Sequence, residues 1–310
     1  MKTRDIFLVM LVTLVWGLNF IAVKWAVEDL PPLVANATRF IVVVIVLLPF
    51  LKVIPGRMKD LALAAVSLGV IHFGAVFMGM QLADGVGAVA IASQLNVPFS
   101  TILAILILHE TVGWKRALGI ALSFAGVMVL GFDPNVFAYW DALLIIVFSA
   151  FMYSVSAILM RQLKEVRAVT TQAWVGVAGI IGSTILSSIF ENGQFEAIAN
   201  TSPKAWAAVI YTGIGSSVIG HGGANYLLRK YEVSVVSPYF LMMPVFAIGS
   251  GILILGEEFT WRMAVGALLT LSGVLVVTIR NSARAKSLAV AEVRPTPEEI
   301  AEERKGGEGG

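Results

Sequence analysis

The sequence predicts an all-α polytopic membrane protein, with ten transmembrane helices arranged as two five-helix repeats of inverted topology. Three observations predict it. First, 58% of the 310 residues are hydrophobic and 14% charged, with a mean hydropathy of +0.86, an apolar excess beyond what a soluble core of this size needs. Second, the apolar content falls into ten runs, each about long enough to cross a hydrocarbon core of ~30 Å. Third, residues 105–130 match residues 252–277 at 12 of 26 positions, without a gap, at a constant offset of 147. Glu110, Trp114, Gly119 and Gly126 recur in register as Glu257, Trp261, Gly266 and Gly273, so one half of the chain copies the other. Five spans per copy is an odd number, which sends the two copies through the membrane in opposite directions.

In chain order the predicted spans are 6–27, 33–52, 61–82, 87–108, 115–131, 139–161, 170–190, 205–228, 233–255 and 262–279. The first follows the basic residues Lys2 and Arg4, yet it is too long for a signal-peptide core and lacks a small-residue cleavage site, so it reads as a span. Turn residues separate the next spans: Pro31-Pro32, Pro55-Gly56 and Asp84-Gly85 within the first half, and Asp133-Pro134-Asn135 between the halves. Only the loop near 191–204 is long enough for a small interfacial segment. Pro98 and Pro244 fall at the centres of the fourth and ninth spans, one position short of full correspondence. A mid-span proline removes a backbone hydrogen bond and bends the helix, so this matched pair is expected to be a gate or hinge, with packing kinks as the alternative. The pairs Gly119/Gly126 and Gly266/Gly273 lie seven apart on one face of the fifth and tenth spans, a spacing that suits close helix packing. The chain thus divides into a first repeat at 1–133, a second, inverted repeat at 139–279, and a polar tail at 280–310 that is expected to be disordered and cytoplasmic.

Charge sets the expected orientation. With the N-terminus inside, fifteen Lys and Arg fall in the inner segments, whereas the outer loops hold Lys204 and Arg262. Both termini are therefore expected in the cytoplasm. Lys24 and Arg39, placed in the outer ends of the first two spans, are expected to snorkel to the outer interface, Lys24 with Glu28 as partner, with a substrate role as the alternative.

Polar groups at mid-depth are costly in hydrocarbon and mark candidate function. Trp16, Asn19, His72, Gln94, Asn96, Tyr153, Ser216, Ser217, His221 and Tyr239 lie within ~8 Å of the estimated midplane at 1.5 Å per residue, on the first, third and fourth spans of each half. A central substrate site is expected there, although each residue alone could bond a neighbouring helix. Gly213, Ser217, His221 and Asn225 form an i+4 ladder on the eighth span. Trp16 and Tyr153 correspond at an offset of 137.

No Asp or Glu falls near a span centre, which argues against a proton-coupled antiporter of cations and for a uniporter, with His72 and His221 the only candidate proton carriers. No Lys or Arg is placed at the midplane either. A substrate of zero net charge follows, such as a zwitterionic amino acid whose ammonium sits over Trp16 or Tyr153 and whose carboxylate meets Asn19, Gln94 or a histidine. Enzyme chemistry is not expected: there is no Cys, no phosphate-binding G-x-x-x-x-G-K-[ST] loop, no G-x-S-x-G and no histidine metal motif. No cofactor and no nucleic-acid partner follow, only a small-molecule substrate and the lipid bilayer. A monomer suffices, because both halves share one chain. Inverted repeats favour alternating access.

The run VWGLNFIAVKWAVEDLPPLVANATRF at 15–40, and the paired Leu-His-Glu and Leu-Gly-Glu junctions each followed by Trp and two Gly, resemble the two EamA domains of the drug/metabolite transporter superfamily. The resemblance covers residues 6–280 and extends to bacterial EamA/YddG-type exporters of amino acids and metabolites. It implies ten spans with both ends inside, a bacterial inner-membrane location, and export of aromatic or other neutral amino acids. Proton-coupled export of other metabolites or drugs, or a solute pore, are the alternatives. His109 departs from the family, where Gly is more usual.

Overall fold

A computed structural model describes residues 1–108, 112–163 and 165–293, and every regular element among them is helical. His109, Glu110, Lys164 and the tail from 294 lie outside the described residues. Among the described residues, nine helices are long and apolar enough to cross a membrane: Thr3–Asp29, Pro32–Phe50, Met58–Leu82, Val86–Ile107, Trp114–Gly131, Trp140–Arg161, Ala168–Phe190, Val235–Leu255 and Trp261–Arg284. The remaining predicted span, 205–228, lies within a continuous helical rod over 203–230. Its middle carries Gly213, Ser216, Ser217, Gly220 and His221, and that polar content lowers its hydropathy. Numbered in chain order as spans 1–10, with 203–230 as span 8, they form the two predicted repeats.

Local chemistry explains the boundaries. Spans 2 and 8 begin with Pro32 and Pro203, where a missing N–H costs nothing. Ser202 Oγ accepts from Ala205 N at 3.2 Å and caps span 8. The expected interfacial segment is the short helix Gln194–Asn200. The last helix runs to Val293, beyond residue 280 where the tail was expected to begin.

The halves interlock rather than sit side by side. Span 1 packs against spans 8 and 9 of the second repeat, and span 6 packs in the same way against spans 3 and 4 of the first. Spans 5 and 10 meet through their duplicated glycines. A Cβ on Gly119 would lie 2.9 Å from Gly273 O, and one on Gly126 would lie 2.6 Å from Gly266 O. At the centre of this crossing, Thr270 Oγ1 reaches the carbonyl of Ser123, its own counterpart 147 residues earlier, at 3.4 Å. Backbones approach this closely only where side chains are absent.

At the end of the bundle that holds Glu257, polar groups tie the repeats together. Glu257 Oε1 accepts from Val86 N at 2.6 Å and Oε2 from Gly87 N at 3.2 Å, capping the start of span 4. Thr260 donates to Asp133. Lys24 does not pair with Glu28 as expected. Its ammonium bonds the carbonyl of Ala83 at the end of span 3, where helix carbonyls are unsatisfied, and Glu28 pairs instead with Lys204 at 2.7 Å. At the opposite end, Asp5 accepts from Lys230 at 2.9 Å and from the Tyr231 hydroxyl at 2.6 Å.

Candidate functional site

Two kinds of backbone irregularity mark the centre, each at matching positions of the two repeats, and a further π-helical stretch, Gly251–Leu255, ends span 9. Spans 4 and 9 are broken. Span 4 consists of Val86–Ser93 and Asn96–Leu108, and span 9 of Val233–Phe240 and Met242–Ser250, with Gly251–Leu255 beyond. The breaks fall at Gln94-Leu95 and at Leu241, and 241 is 94 plus the repeat offset of 147. Pro98 and Pro244 lie four and three residues after these breaks, where a missing N–H leaves the preceding turn without its regular bond.

Spans 3 and 8 each contain a π-helical stretch, Val66–His72 and Thr212–Gly220. Phe73 N–H reaches back five residues to Leu68 O, and His221 N–H does the same to Ser216 O. Such wide turns re-aim side chains, and they gather at functional positions. Here they deliver His72 and His221.

The two histidines meet equivalent partners. His221 faces Trp16 of span 1, with ring centroids 5.2 Å apart, and His72 faces Tyr153 of span 6, also at 5.2 Å. Each pair joins a π-bulged span to the first span of the other repeat. Trp16 Nε1 donates to Ser216 O at 3.2 Å and its ring packs edge-on to Phe240 at 5.3 Å. His72 Nδ1 lies 2.8 Å from Ser149 Oγ and 2.9 Å from Ser149 O.

The expectation that Arg39 snorkels to the interface is overturned. Arg39 is 1% exposed and lies two residues from Ile41, the middle of Pro32–Phe50, hence ~3 Å from mid-depth. Aromatic faces and a hydroxyl hold it instead of water. Its Cζ stands 4.0 Å from the Phe73 ring centre and 5.1 Å from that of Phe40, and Nη2 donates to Ser217 Oγ at 2.9 Å. Ser217 Oγ in turn donates to Thr212 O inside the π stretch, at 3.2 Å. Arg39 lies within electrostatic reach of both His72 and His221. The expectation of a midplane without Lys or Arg falls with it.

Trp16, His72, Tyr153, Ser217 and His221 are thus brought together around Arg39. Asn19, one turn from Trp16, has a buried Oδ1 with no protein partner. Gln94 is buried at the span 4 break, and the carbonyl of Asn96 takes the Ser154 hydroxyl at 2.7 Å. Tyr239 does not join the histidines. It packs with Val9, Leu227 and Val236 beside span 1, and the neighbouring Phe240 supplies the ring contact to Trp16. The sequence reading misjudged the depth of Arg39 and missed Ser149 and Asn36. Asn36 Nδ2 donates to Gly69 O at 3.1 Å and to Ser183 Oγ at 2.8 Å, joining spans 2, 3 and 7. Counting Arg39 and Asn36 inward from Pro32 would have flagged both depths; nothing in the sequence marks Ser149 as the anchor of His72.

Two segments of the chain, 3–132 and 140–279, each match the model of the EamA-like transporter family. A probable amino-acid metabolite efflux pump of Salmonella typhimurium is 24% identical over 297 residues, covering 92% of this chain and 99% of that protein. Its namesake in Escherichia coli is 24% identical over 285 residues, covering 89% and 95%. An uncharacterized transporter of Archaeoglobus fulgidus is 27% identical over 274 residues, covering 84% and 94%. A solved crystal structure superposes with a TM-score of 0.61 at 17% identity, covering 92% of this chain and 99% of the other, and so shares the fold.

Proposed function

This chain belongs to the EamA-like transporter family, and we propose that it exports amino acids or their metabolites across a bacterial inner membrane by alternating access, as a uniporter with both termini in the cytoplasm. One observation carries this reading: the broken spans 4 and 9, the bulged spans 3 and 8, and the two histidine–aromatic pairs occur once per inverted repeat around one central cluster. Two copies of one structure in opposite orientation have two conformations of nearly equal energy, one open to each side. The breaks at Gln94 and Leu241 are hinges in this scheme, since a helix without its regular bond bends there at low cost.

Trp16 and Tyr153 supply aromatic walls suited to an ammonium or an apolar side chain. No carboxylate side chain lies in the described cluster, so there is no acid to exchange a proton for a cation. The names of the efflux pumps in Salmonella and Escherichia coli support the amino-acid metabolite class. Counterflow of labelled aromatic and neutral amino acids in proteoliposomes tests it. Saturable exchange, unaffected by an imposed pH gradient, is expected. Accumulation driven by the gradient would overturn uniport, and flux that does not saturate would overturn a carrier.

A further inference from the structure

We propose that Arg39 is the carboxylate subsite of the transport site, so that the substrate class is a monocarboxylate, zwitterionic or acidic, rather than any neutral solute. This rests on the reading of the chain as an amino-acid or metabolite carrier.

A guanidinium has five N–H donors and stays charged. In Arg39 only Nη2 has a hydrogen-bond acceptor, Ser217 Oγ, while Nε and Nη1 are buried without a protein partner. No Asp or Glu among the described residues forms a salt bridge with it. A buried cation retained near mid-depth without an acid is costly, and structural arginines are ordinarily relieved of that cost by a carboxylate. Here the surroundings hold the charge in place without neutralising it. Phe73 and Phe40 attract the cation through their faces, and Ser217, fixed by Thr212 O, orients one nitrogen. The guanidinium is therefore presented beside the two histidine–aromatic pairs. An incoming carboxylate finds two donors and a full charge there, and its apolar or ammonium-bearing remainder meets Trp16 or Tyr153.

The size of the charge also selects. One unpaired cation matches one negative charge, whereas a phosphate dianion needs a second, and no Lys or other Arg stands in the described cluster. At the offset of 137 that relates Trp16 to Tyr153, Arg39 corresponds to Gly176, so the second repeat adds no cation.

The test is binding to the purified full chain in nanodiscs, with L-phenylalanine, L-phenylalaninamide, phenylacetate and inorganic phosphate as probes. Phenylalanine and phenylacetate are expected to bind, the amide at least tenfold more weakly, and phosphate not at all. Arg39→Gln is expected to remove the preference of acid over amide, and Arg39→Lys to keep part of it. Equal affinity of the wild type for acid and amide would overturn the subsite while leaving amino-acid transport intact, and needs no variant to fold. Tight phosphate binding would overturn the monocarboxylate class. Failure of every organic probe would overturn the transport reading and the subsite with it.

Discussion

Glu257 supplies the most direct test of alternating access, because it joins the first repeat to the second at one end only. Its carboxylate accepts from Val86 N at 2.6 Å and Gly87 N at 3.2 Å, at the positive end of a helix. Glycines make room for it: a Cβ on Gly251 would stand 2.7 Å from Oε2, and one on Gly85 3.0 Å from the carboxyl carbon. Hydrogen bonds to a charged group contribute about 1.5–3 kcal/mol, and a carboxylate at a helix N-terminus a further ~0.3–1 kcal/mol. Glu257→Gln keeps the shape and one acceptor oxygen but loses the charge, so a loss of about 1–2 kcal/mol is expected, a factor of roughly 5–30 in any equilibrium that breaks the contact. Opening of this end is such an equilibrium. The chain contains no cysteine, so a single Ser250→Cys, at a buried position beside Gly251, reports opening without background. Its labelling by a membrane-impermeant maleimide should rise by that factor in the Glu257→Gln background. Unchanged labelling alongside a lowered melting temperature would refute the latch and leave Glu257 a helix cap present in both states.

Other expectations follow from particular contacts. Gly126→Val places side-chain atoms where a Cβ already stands 2.3 Å from Thr270 Oγ1 and 2.6 Å from Gly266 O; overpacking of this kind costs about 1–3 kcal/mol, read as a lower melting temperature in detergent, whereas Gly249→Ala, with open space around it, should leave melting unchanged. Pro98→Ala and Pro244→Ala restore an N–H to spans 4 and 9, and each should slow counterflow severalfold without lowering stability; unchanged rates would make the breaks mere kinks. Ser149→Ala removes the hydroxyl 2.8 Å from His72 Nδ1, which costs about 1 kcal/mol and should weaken substrate binding roughly fivefold, whereas Ser188→Ala, at an exposed hydroxyl bonded only to its own helix, should not.

Much of the frame is legible in the residues because it depends on period and spacing. The glycine pairs seven apart on spans 5 and 10 signal a tight crossing, and the crossing is there. Pro98 and Pro244 signal weak points, and the breaks fall within one turn before each. The irregularities of spans 3 and 8 are not legible: Val66–His72 and Thr212–Gly220 contain no proline, and a π-helical stretch is selected by packing between helices, not by the composition of one. The depth of Arg39 and the partner of Lys24 are not legible for another reason. A long cation in a span is ordinarily taken to reach water, and only the three-dimensional partners, Ser217 and Phe73, reveal that Arg39 turns inward, whereas the Ala83 carbonyl shows what Lys24 meets in place of Glu28.

The symmetric and asymmetric parts of the centre have different tasks. In the proposed alternating-access scheme, hinges, bulges and histidine–aromatic pairs must occur twice, because exchanging the conformations of the two repeats is what would convert one open state into the other. A binding charge must not. If Gly176 were also a cation, two like charges would share one poorly solvated site, each disfavouring the other's ionised form, and the site would demand a dianion. With Arg39 alone, and only ~3 Å from mid-depth, one carboxylate stays paired while either end opens. The single unpaired guanidinium is thus compatible with transport by uniport: the charge that meets the substrate travels nowhere and needs no partner ion to reset it.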